Sequence, residues 1–484
     1  MRKIGLSLLI VVSFSSLTLA MPSDFESYVQ SEMQEFKTYK DAQDEAFGKY
    51  LEQAWKPFKA RKTRPKLKPK PKVIKPIPIK EVAKPVVQKE VVVKVIPKKV
   101  LVQPVVVELP KPVVTPKTVD ASKTKVLFYG HQFYIKYDNP LDNIYGTMLN
   151  SKKITKAWEA FASSDYEGII KQIDQNVKLL ALNDWGRLKL LEKISQPLFR
   201  NGNEGRLFRW FVLTKLGYDM KVGFSRQKVL LLAPINTKLY STTFYDIKGT
   251  RYYAIDYTYG KKGIGTIRTY EKSHPKARDI FDLRITKRPN LKTFAASKDV
   301  SFTYKNKKYQ LKMDYDRAFV AYFKSYPQVD YDNYFLAPIS LTANATIQSE
   351  VAKLIKGKSE VEAVNMLMRL VQKGFDYKID HAQFGYEKVM LPEETLYYPY
   401  SDCEDRAILF SKLVRDLLGL EVVGLKFKDH LANAVVLKST LKGGTSFMKN
   451  GKRYYVADPT YIGSTIGMMP PRYKNAPFSM IYAK

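Results

Sequence analysis

The sequence predicts an α+β protein in which two related α+β units are joined by a small β region. Three observations support this prediction. Near the carboxyl end, a helical stripe is followed by alternating, strand-like runs; parts of this arrangement occur again about 200 residues earlier; and the residues between are rich in Tyr, Phe and Lys with period-two alternation. A chain of 484 residues also fits two or three domains better than one.

These patterns divide the chain into six parts. They are residues 1–20, a signal peptide; 21–60, an amphipathic helical segment; 61–124, a Lys/Pro-rich extended linker; 125–269, a degenerate copy of the last unit; 270–345, a β-rich connecting region; and 346–484, the unit that carries the candidate chemistry.

The amino terminus has the features of a secretory signal. Arg2 and Lys3 are followed by an apolar run over 4–12, and Thr18-Leu19-Ala20 supplies small residues for cleavage. An uncleaved anchor is the alternative. No cysteine follows the cleavage point, so a lipoprotein is not expected. The sequence therefore predicts an exported protein of the periplasm or cell envelope.

Residues 22–60 have apolar side chains at helical spacing. They predict an amphipathic helix that packs on itself or a neighbour, with a docking helix for a membrane or partner as the alternative. The stripe consists of Phe25, Val29, Met33, Phe36, Tyr39, Phe47, Tyr50, Leu51, Trp55 and Phe58.

Residues 61–120 have a different composition, with 11 Pro, 14 Lys, no Gly and only four acidic residues. Repeated Lys-Pro and Pro-Val units favour polyproline II, and like charges keep such a chain extended. Fully extended, this segment would reach about 190 Å. The sequence therefore predicts a spacer.

The formal charge of the chain is +34. Such a charge predicts attraction to anionic cell-envelope polymers or to a membrane surface. Nucleic acid is not expected as a natural partner because the protein is predicted to be exported.

Three tracts of the chain repeat in order, which predicts a duplicated unit. Residues 249–260 match 451–461 at Gly, Arg, Tyr, Tyr, Asp, Thr and Tyr, with an offset of 202. Asn203-Glu204-Gly205-Arg206 aligns with Cys403-Glu404-Asp405-Arg406, and Lys221-Val222-Gly223 aligns with Val422-Val423-Gly424. The first copy has Asn203 in place of cysteine and no histidine between Gly217 and Asp256, so it should be inert. Between the copies, residues 309–323 alternate like a strand.

Cys403 is the only cysteine of the chain and is predicted to lie at the amino terminus of a helix. Ser401 or Asp402 can cap that helix, and Gly419 can end it. The apolar stripe is formed by Ala407, Phe410, Leu413, Val414, Leu417 and Leu418. The positive end of a helix favours a thiolate, but the neighbouring acidic residues oppose it, so activation would require a histidine. A buried, inert cysteine is the alternative.

His430 and Asp458 are the candidate partners of Cys403. Among the four histidines, His430 opens an alternating strand over 431–436, and Asp458 follows the strand 454–457. An aspartate in this order can hold the second imidazole nitrogen and fix the tautomer.

The run Asp402-Cys403-Glu404-Asp405-Arg406-Ala407, followed by His430 and by Tyr455-Val456-Ala457-Asp458-Pro459-Thr460, resembles the transglutaminase-like superfamily. Gly374-Phe375-Asp376-Tyr377 and Thr395-Leu396 also fit its upstream pattern, so the resemblance covers about 360–480. It implies a papain-like fold with a Cys-His-Asp triad, as in bacterial exported transglutaminase-like cysteine enzymes.

The resemblance implies acyl transfer through a thioester on Cys403, with His430 as the base and Asp458 holding His430. The acyl group of a protein or peptide substrate would pass to water, as in a peptidase or amidase, or to an amine, as in a transglutaminase; family analogy favours hydrolysis. The backbone N–H of Cys403 is one oxyanion candidate, and Tyr398 and Tyr400 are others.

No cofactor motif and no metal-ligand spacing are found in the sequence. Two other functions remain open. One is a non-catalytic envelope scaffold or binding protein with a remnant triad, and the other is a peptidoglycan amidase or binder.

Overall fold

The computed structural model describes residues 23–64, 123–141, 149–256 and 265–482. The predicted signal peptide and residues 65–122 of the predicted linker lie outside the described residues. The described residues form separate groups of helices and mostly antiparallel sheets, so the predicted α+β class is confirmed. Within these ranges, no helix combines the length and the apolar character needed to cross a bilayer.

Helices and strands alternate in blocks along the chain. The α-helices are α1 Ser23–Gln53, α2 Ser151–Ala162, α3 Tyr166–Leu179, α4 Asp184–Leu198, α5 Gly202–Lys215, α6 Arg317–Lys324, α7 Tyr331–Leu336, α8 Leu341–Thr346, α9 Ala352–Ile355, α10 Glu360–Gly374, α11 Asp380–Phe384, α12 Pro392–Tyr397 and α13 Cys403–Leu418. The strands are β1 Lys56–Phe58, β2 Arg61–Lys62, β3 Thr124–Phe128, β4 His131–Ile135, β5 Lys221–Ser225, β6 Lys228–Ala233, β7 Thr243–Ile247, β8 Thr250–Ala254, β9 Ile267–Thr269, β10 Ala295–Tyr304, β11 Lys307–Asp316, β12 Asp376–Tyr377, β13 Tyr400–Ser401, β14 Val422–Lys426, β15 Leu431–Val436, β16 Ser446–Lys449, β17 Lys452–Ala457 and β18 Ser479–Tyr482.

The amino-terminal helix α1 is shorter than predicted and is part of the first unit. It ends at Gln53, and the chain then forms β1, because Pro57 has no backbone N–H for a helical hydrogen bond. Phe47 packs edge-on against Trp158 of α2, with ring centroids 4.8 Å apart. Of the predicted stripe, Met33 and Tyr39 are exposed, whereas Phe47, Leu51 and Trp55 are buried.

The predicted linker begins later than expected, because its first residues belong to a sheet. Arg61 and Lys62 form β2, which pairs with β7 at one edge of a seven-stranded sheet in the order β1-β9-β5-β6-β8-β7-β2. On its far side, the same chain segment ends at β3, which packs on α4 of the first unit and whose Val126 and Phe128 are buried. Both ends of the segment are therefore anchored in one unit.

The connecting region contains more helix than predicted. Its β part is the hairpin β10–β11, but the predicted strand over 309–323 is wrong beyond Asp316. The side chain of Asp316 accepts hydrogen bonds from the N–H groups of Ala318 and Phe319 and so caps α6. The hairpin packs into the core of the last unit together with α8, α10 and α13, so that unit begins before the predicted boundary at residue 346.

The two units share the order of five antiparallel strands. In the first unit the order is β9-β5-β6-β8-β7, and in the last it is β18-β14-β15-β17-β16. In both sheets the strand that comes last in the chain is at one edge, next to the strand that comes first, and the remaining three follow in the same order. The registers of the paired strands agree as well. Val435 pairs with Tyr455, and the residues 202 positions earlier, Ala233 and Tyr253, also pair with each other. Phe447 pairs with Tyr454 as Tyr245 pairs with Tyr252.

This shared register corrects one of the sequence alignments. The pairing of Gly424 with Asn433 corresponds to that of Val222 with Leu231, so Gly424 matches Val222 rather than Gly223. Helix α5 has 14 residues where α13 has 16, which explains why the offset is 200 at the helix start and 202 in the sheet.

Gly419 ends α13 in the left-handed region, with φ +61°. A Cβ at this position would touch nothing within 4 Å, so alanine would be strained only through its backbone. Gly419→Ala is expected to lower the free energy of unfolding by about 1 kcal/mol, measured by urea denaturation. Gly265→Ala is the matched control, since Gly265 also has open space but no positive φ. Equal effects of the two substitutions would contradict this explanation.

Candidate active site

Cys403 is the first residue of α13 and follows directly from strand β13. The short parallel pairing of β13 with β12 fixes the direction in which the chain enters the helix. Asp402 is the N-cap, and its backbone N–H donates to the side chain of Asp405 at 3.1 Å. The thiol therefore lies in the first turn, where the helix dipole favours negative charge.

Helix α13 is held against the strand that follows His430. Its side chains from Ala407 to Val414 are mostly buried, and Asn433 of β15 donates from Nδ2 to the backbone oxygen of Ala407 at 3.1 Å. Because Asn433 is completely buried, this bond fixes the position of β15 along the helix. His430 is the residue before β15, and Tyr473 links it to Cys403: the ring of Tyr473 stacks on His430, and Cys403 is one of the groups that raise the pKa of Tyr473.

His430 and Asp458 form a buried hydrogen-bonded pair. The Nε2 atom of His430 lies 2.7 Å from Oδ2 of Asp458, and the two residues are 3% and 1% exposed. The other carboxylate oxygen, Oδ1, accepts from the backbone N–H groups of Thr460 and Tyr461 at 2.9 and 3.1 Å. These two bonds fix the carboxylate, which in turn fixes the ring of His430.

Gln372 of α10 organises the loop that follows Asp458. Its Nε2 donates to the backbone oxygens of Asp458 and Tyr461 at 3.2 and 3.0 Å and to Oγ of Ser464 at 3.0 Å. Its Oε1 accepts from the N–H of Gly463 at 3.3 Å. Since Gln372 is 2% exposed, these loop contacts are shielded from water.

Carboxylates surround the thiol of Cys403. The Sγ atom donates to Oε2 of Glu404 at 3.0 Å, and it lies within 4.8 Å of carboxylate oxygens of both Asp402 and Glu404. The guanidinium of Arg406 is the nearby buried cation; it donates to the backbone oxygen of Phe375 at 2.5 Å and to Ser401. Desolvation lowers the pKa of Arg406, while Tyr377, Asp402, Asp405 and Cys403 raise it.

Two groups of side chains in the described residues have spacings that a cation accepts, although the sequence predicts no metal. One consists of Asp402, Cys403 and Glu404, and the other of Asp380, Asp402 and Asp405. Internal hydrogen bonds already engage several of these groups: Asp380 accepts from the N–H of Lys388, and Asp405 from that of Met390.

Tyr473 contacts the imidazole of His430, and both Tyr473 and Tyr377 lie near the thiol of Cys403. The ring of Tyr473 stacks on that of His430, with centroids 4.9 Å apart and planes 16° from parallel. Burial raises the pKa of Tyr473, the charge of Arg472 lowers it, and Asp429 and Cys403 raise it. Desolvation likewise raises the pKa of Tyr377, with Cys403 the next cause. Cys403 is itself 3% exposed, so its thiol is buried.

The side-chain oxyanion candidates Tyr398 and Tyr400 have other contacts. Tyr398 packs edge-on against Phe384, with centroids 5.0 Å apart, and the ammonium of Lys388 lies over its ring. Tyr400 is half-buried in β13, with Lys378 over its ring at 4.8 Å. Cys403 is instead one of the groups that raise the pKa of Tyr377.

The equivalent positions in the first unit hold a different set of groups. Asn203 donates to the backbone oxygen of Gln227 at 2.7 Å and accepts from the N–H of Val229 at 3.0 Å. Asp256, the counterpart of Asp458, is ion-paired with Arg206. By register, His430 corresponds to Lys228, an exposed residue. This unit therefore lacks both a thiol and an imidazole at these positions.

Sequence reasoning missed Tyr473 and Gln372. Tyr473 lies in a short 3-10 turn, Pro471–Tyr473, that carries no periodic signal. Gln372 lies among buried apolar residues of α10, and a glutamine on that face was the one available sign that the helix has a polar partner.

Comparison of the chain with protein-family models, with curated proteins and with solved structures gave no match.

Proposed function

We propose that this protein is an exported, cysteine-dependent acyl-transfer enzyme whose last unit is a papain-like, transglutaminase-like domain. The observation that carries the proposal is the pair of His430 and Asp458, with the carboxylate fixed by two backbone N–H groups, beside a helix that begins at Cys403. A buried imidazole held in one tautomer is what a thiol nucleophile requires.

The chemistry follows from this arrangement. Because Asp458 holds Nε2–H of His430, the neutral ring has its lone pair on Nδ1, which can accept the thiol proton. The Cys403 thiolate attacks the carbonyl carbon of an amide, and the oxyanion is stabilised by the backbone N–H of Cys403. When the C–N bond breaks, the imidazolium returns its proton to the leaving amine, and a thioester remains. Water or a second amine then attacks the thioester, and the acyl group leaves the sulfur.

The duplicated strand order and register support the proposal that the first unit is a degenerate copy of the last. With Asn203 and Lys228 at the positions of the nucleophile and base, it would take no part in the chemistry.

A non-catalytic scaffold is the second candidate, and one observation favours it. The thiol of Cys403 donates to the carboxylate of Glu404, and a neighbouring negative charge disfavours the thiolate. In that case the pair of His430 and Asp458 would only hold β15 and the following loop in place.

Trapping of the acyl-enzyme tests the proposal. The wild-type chain is incubated with cell-envelope extract, quenched in acid and digested, and the peptide with Cys403 is examined by mass spectrometry. An added acyl group on that peptide is expected, and it should be absent in Cys403→Ala and removed by hydroxylamine. Failure to find any thioester across several envelope extracts, with an intact fold by circular dichroism, would favour the scaffold.

A further inference from the structure

A groove of the first unit lies between α1, α3, α5 and the segment that follows β9. Its volume is about 610 Å³, within the range of sites that hold small organic molecules. Five lysines and two acidic residues are among the side chains that line it. The lysines are Lys40, Lys171, Lys178, Lys215 and Lys276.

Both acidic side chains of this lining are already paired with cations. Glu167 is ion-paired with Lys40, and Asp174 with Arg187. One further carboxylate, that of Asp41 on α1, lies near Lys40, but it is exposed, and exposed charges are largely screened by water and salt. These acids therefore do not neutralise the lysines on the other side of the groove.

Two of those lysines, Lys171 and Lys178, are exposed and form no ion pair with any described residue. They are seven residues apart on α3, which is about two helical turns, so their side chains share one face of the helix. Opposite them on α5, the ammonium of Lys215 is fixed by Asp44, with Nζ 2.7 Å from Oδ1 and 2.5 Å from Oδ2. Two helices thus present ammonium groups to the same space.

The side chain of Tyr166 is a second, independent sign of an anionic ligand. It lines the groove and is 6% exposed, and its hydroxyl has no hydrogen-bond partner in the described chain. The ammonium groups of Lys40 and Lys215 lie 5.0 and 4.6 Å from the centre of its ring. Burial raises the pKa of Tyr166, and Asp44 and Asp41 raise it further, so the hydroxyl keeps its proton and stays a donor.

We propose that this groove binds a phosphate ester, whose oxygens lie between the lysines of α3 and α5 and accept a hydrogen bond from Tyr166. A buried donor without an acceptor is rare, and an anion supplies the acceptor, which a cation could not. Lysine binds phosphate as a point charge, and several lysines attract a dianion more strongly than a carboxylate. The groove is larger than a bare phosphate, which leaves room for the organic part of the ester. The inference does not depend on the acyl transfer proposed for Cys403.

Isothermal titration calorimetry of the full-length chain with glycerol 3-phosphate tests the site. Salt at about 0.15 M screens the exposed charges elsewhere on this basic chain, so one saturable site is expected. The affinity should fall by about tenfold in Lys171→Gln/Lys178→Gln. The matched control is Lys308→Gln/Lys312→Gln, which removes two exposed lysines from β11; its affinity should equal that of the wild type.

Tyr166→Phe separates binding from folding. The hydroxyl forms no hydrogen bond in the described chain, so its removal should leave the free energy of unfolding of the ligand-free chain unchanged or higher in urea denaturation. The affinity for glycerol 3-phosphate should nevertheless fall by about threefold to tenfold, because a donor to the phosphate is lost. A side chain that only packs would not show this combination.

Co-sedimentation with vesicles of phosphatidylglycerol and phosphatidylcholine determines the source of the phosphate. Binding that is weakened in the groove variants only in the vesicle experiment would assign the site to a lipid head group, and weakening in calorimetry would assign it to a soluble ester. The inference is overturned if the groove variants match the Lys308→Gln/Lys312→Gln control in both experiments. It is also overturned if Tyr166→Phe binds as tightly as the wild type in both.

Discussion

His430→Ala is expected to slow alkylation of Cys403 by iodoacetamide at pH 7 by about 10- to 100-fold. The imidazole is the group that can take the thiol proton, and the nearby carboxylates of Asp402 and Glu404 would otherwise hold the thiol in its neutral form. The reaction is followed by mass spectrometry, with one label per chain because Cys403 is the only cysteine. The pH profile should shift to higher pH in the variant.

His381→Ala provides the matched control for this substitution. The imidazole of His381 is exposed and lies 3.0 Å from Glu387. His381→Ala therefore removes an imidazole without changing a residue of the candidate active site. The rate in this variant should equal that of the wild type. If His430→Ala alkylates as fast as His381→Ala, the imidazole has no influence on the thiol and the triad is only structural.

Gln372→Met should lower the free energy of unfolding by about 2–3 kcal/mol, measured by urea denaturation. Methionine retains much of the volume but donates no hydrogen bond, so the backbone oxygens of Asp458 and Tyr461 would be left buried without this donor. The loop that carries Asp458 would then be less fixed. A slower, pH-shifted alkylation of Cys403 should accompany the loss of stability.

Gln310→Met is the control for that experiment, because Gln310 is exposed on β11. Its denaturation midpoint should stay within error of the wild type. An unchanged midpoint in Gln372→Met would show that the hydrogen bonds to the loop contribute little. Lost stability with unchanged alkylation kinetics would limit Gln372 to a structural role.

Local patterns predicted the parts of the site that follow from helix and strand periodicity. The cap at Asp402, the apolar face of α13 and the end at Gly419 are all encoded within one helix. The strands β15 and β17 lie where they were predicted, but most of their residues are buried without the predicted alternation. The limit of such patterns is visible at Asp316. An alternating run there continues into residues that also have helical spacing, and only the capping side chain decides where the strand ends.

The site residues that the sequence did not predict are positioned by contacts between residues far apart in the chain. Gln372 and Ser464 meet although 92 residues separate them, and Tyr473 reaches His430 from an irregular segment. No periodicity specifies such pairs. Internal repetition was the one long-range signal in the sequence: the match around Asp256 and Asp458 predicted two related units, and the strand order that they share became visible only in the structure.

The anchoring of β2 and β3 in one unit changes what the segment between them can do. A protease that cut it would release neither side, because α1 and β1 would remain packed against α2 and β9.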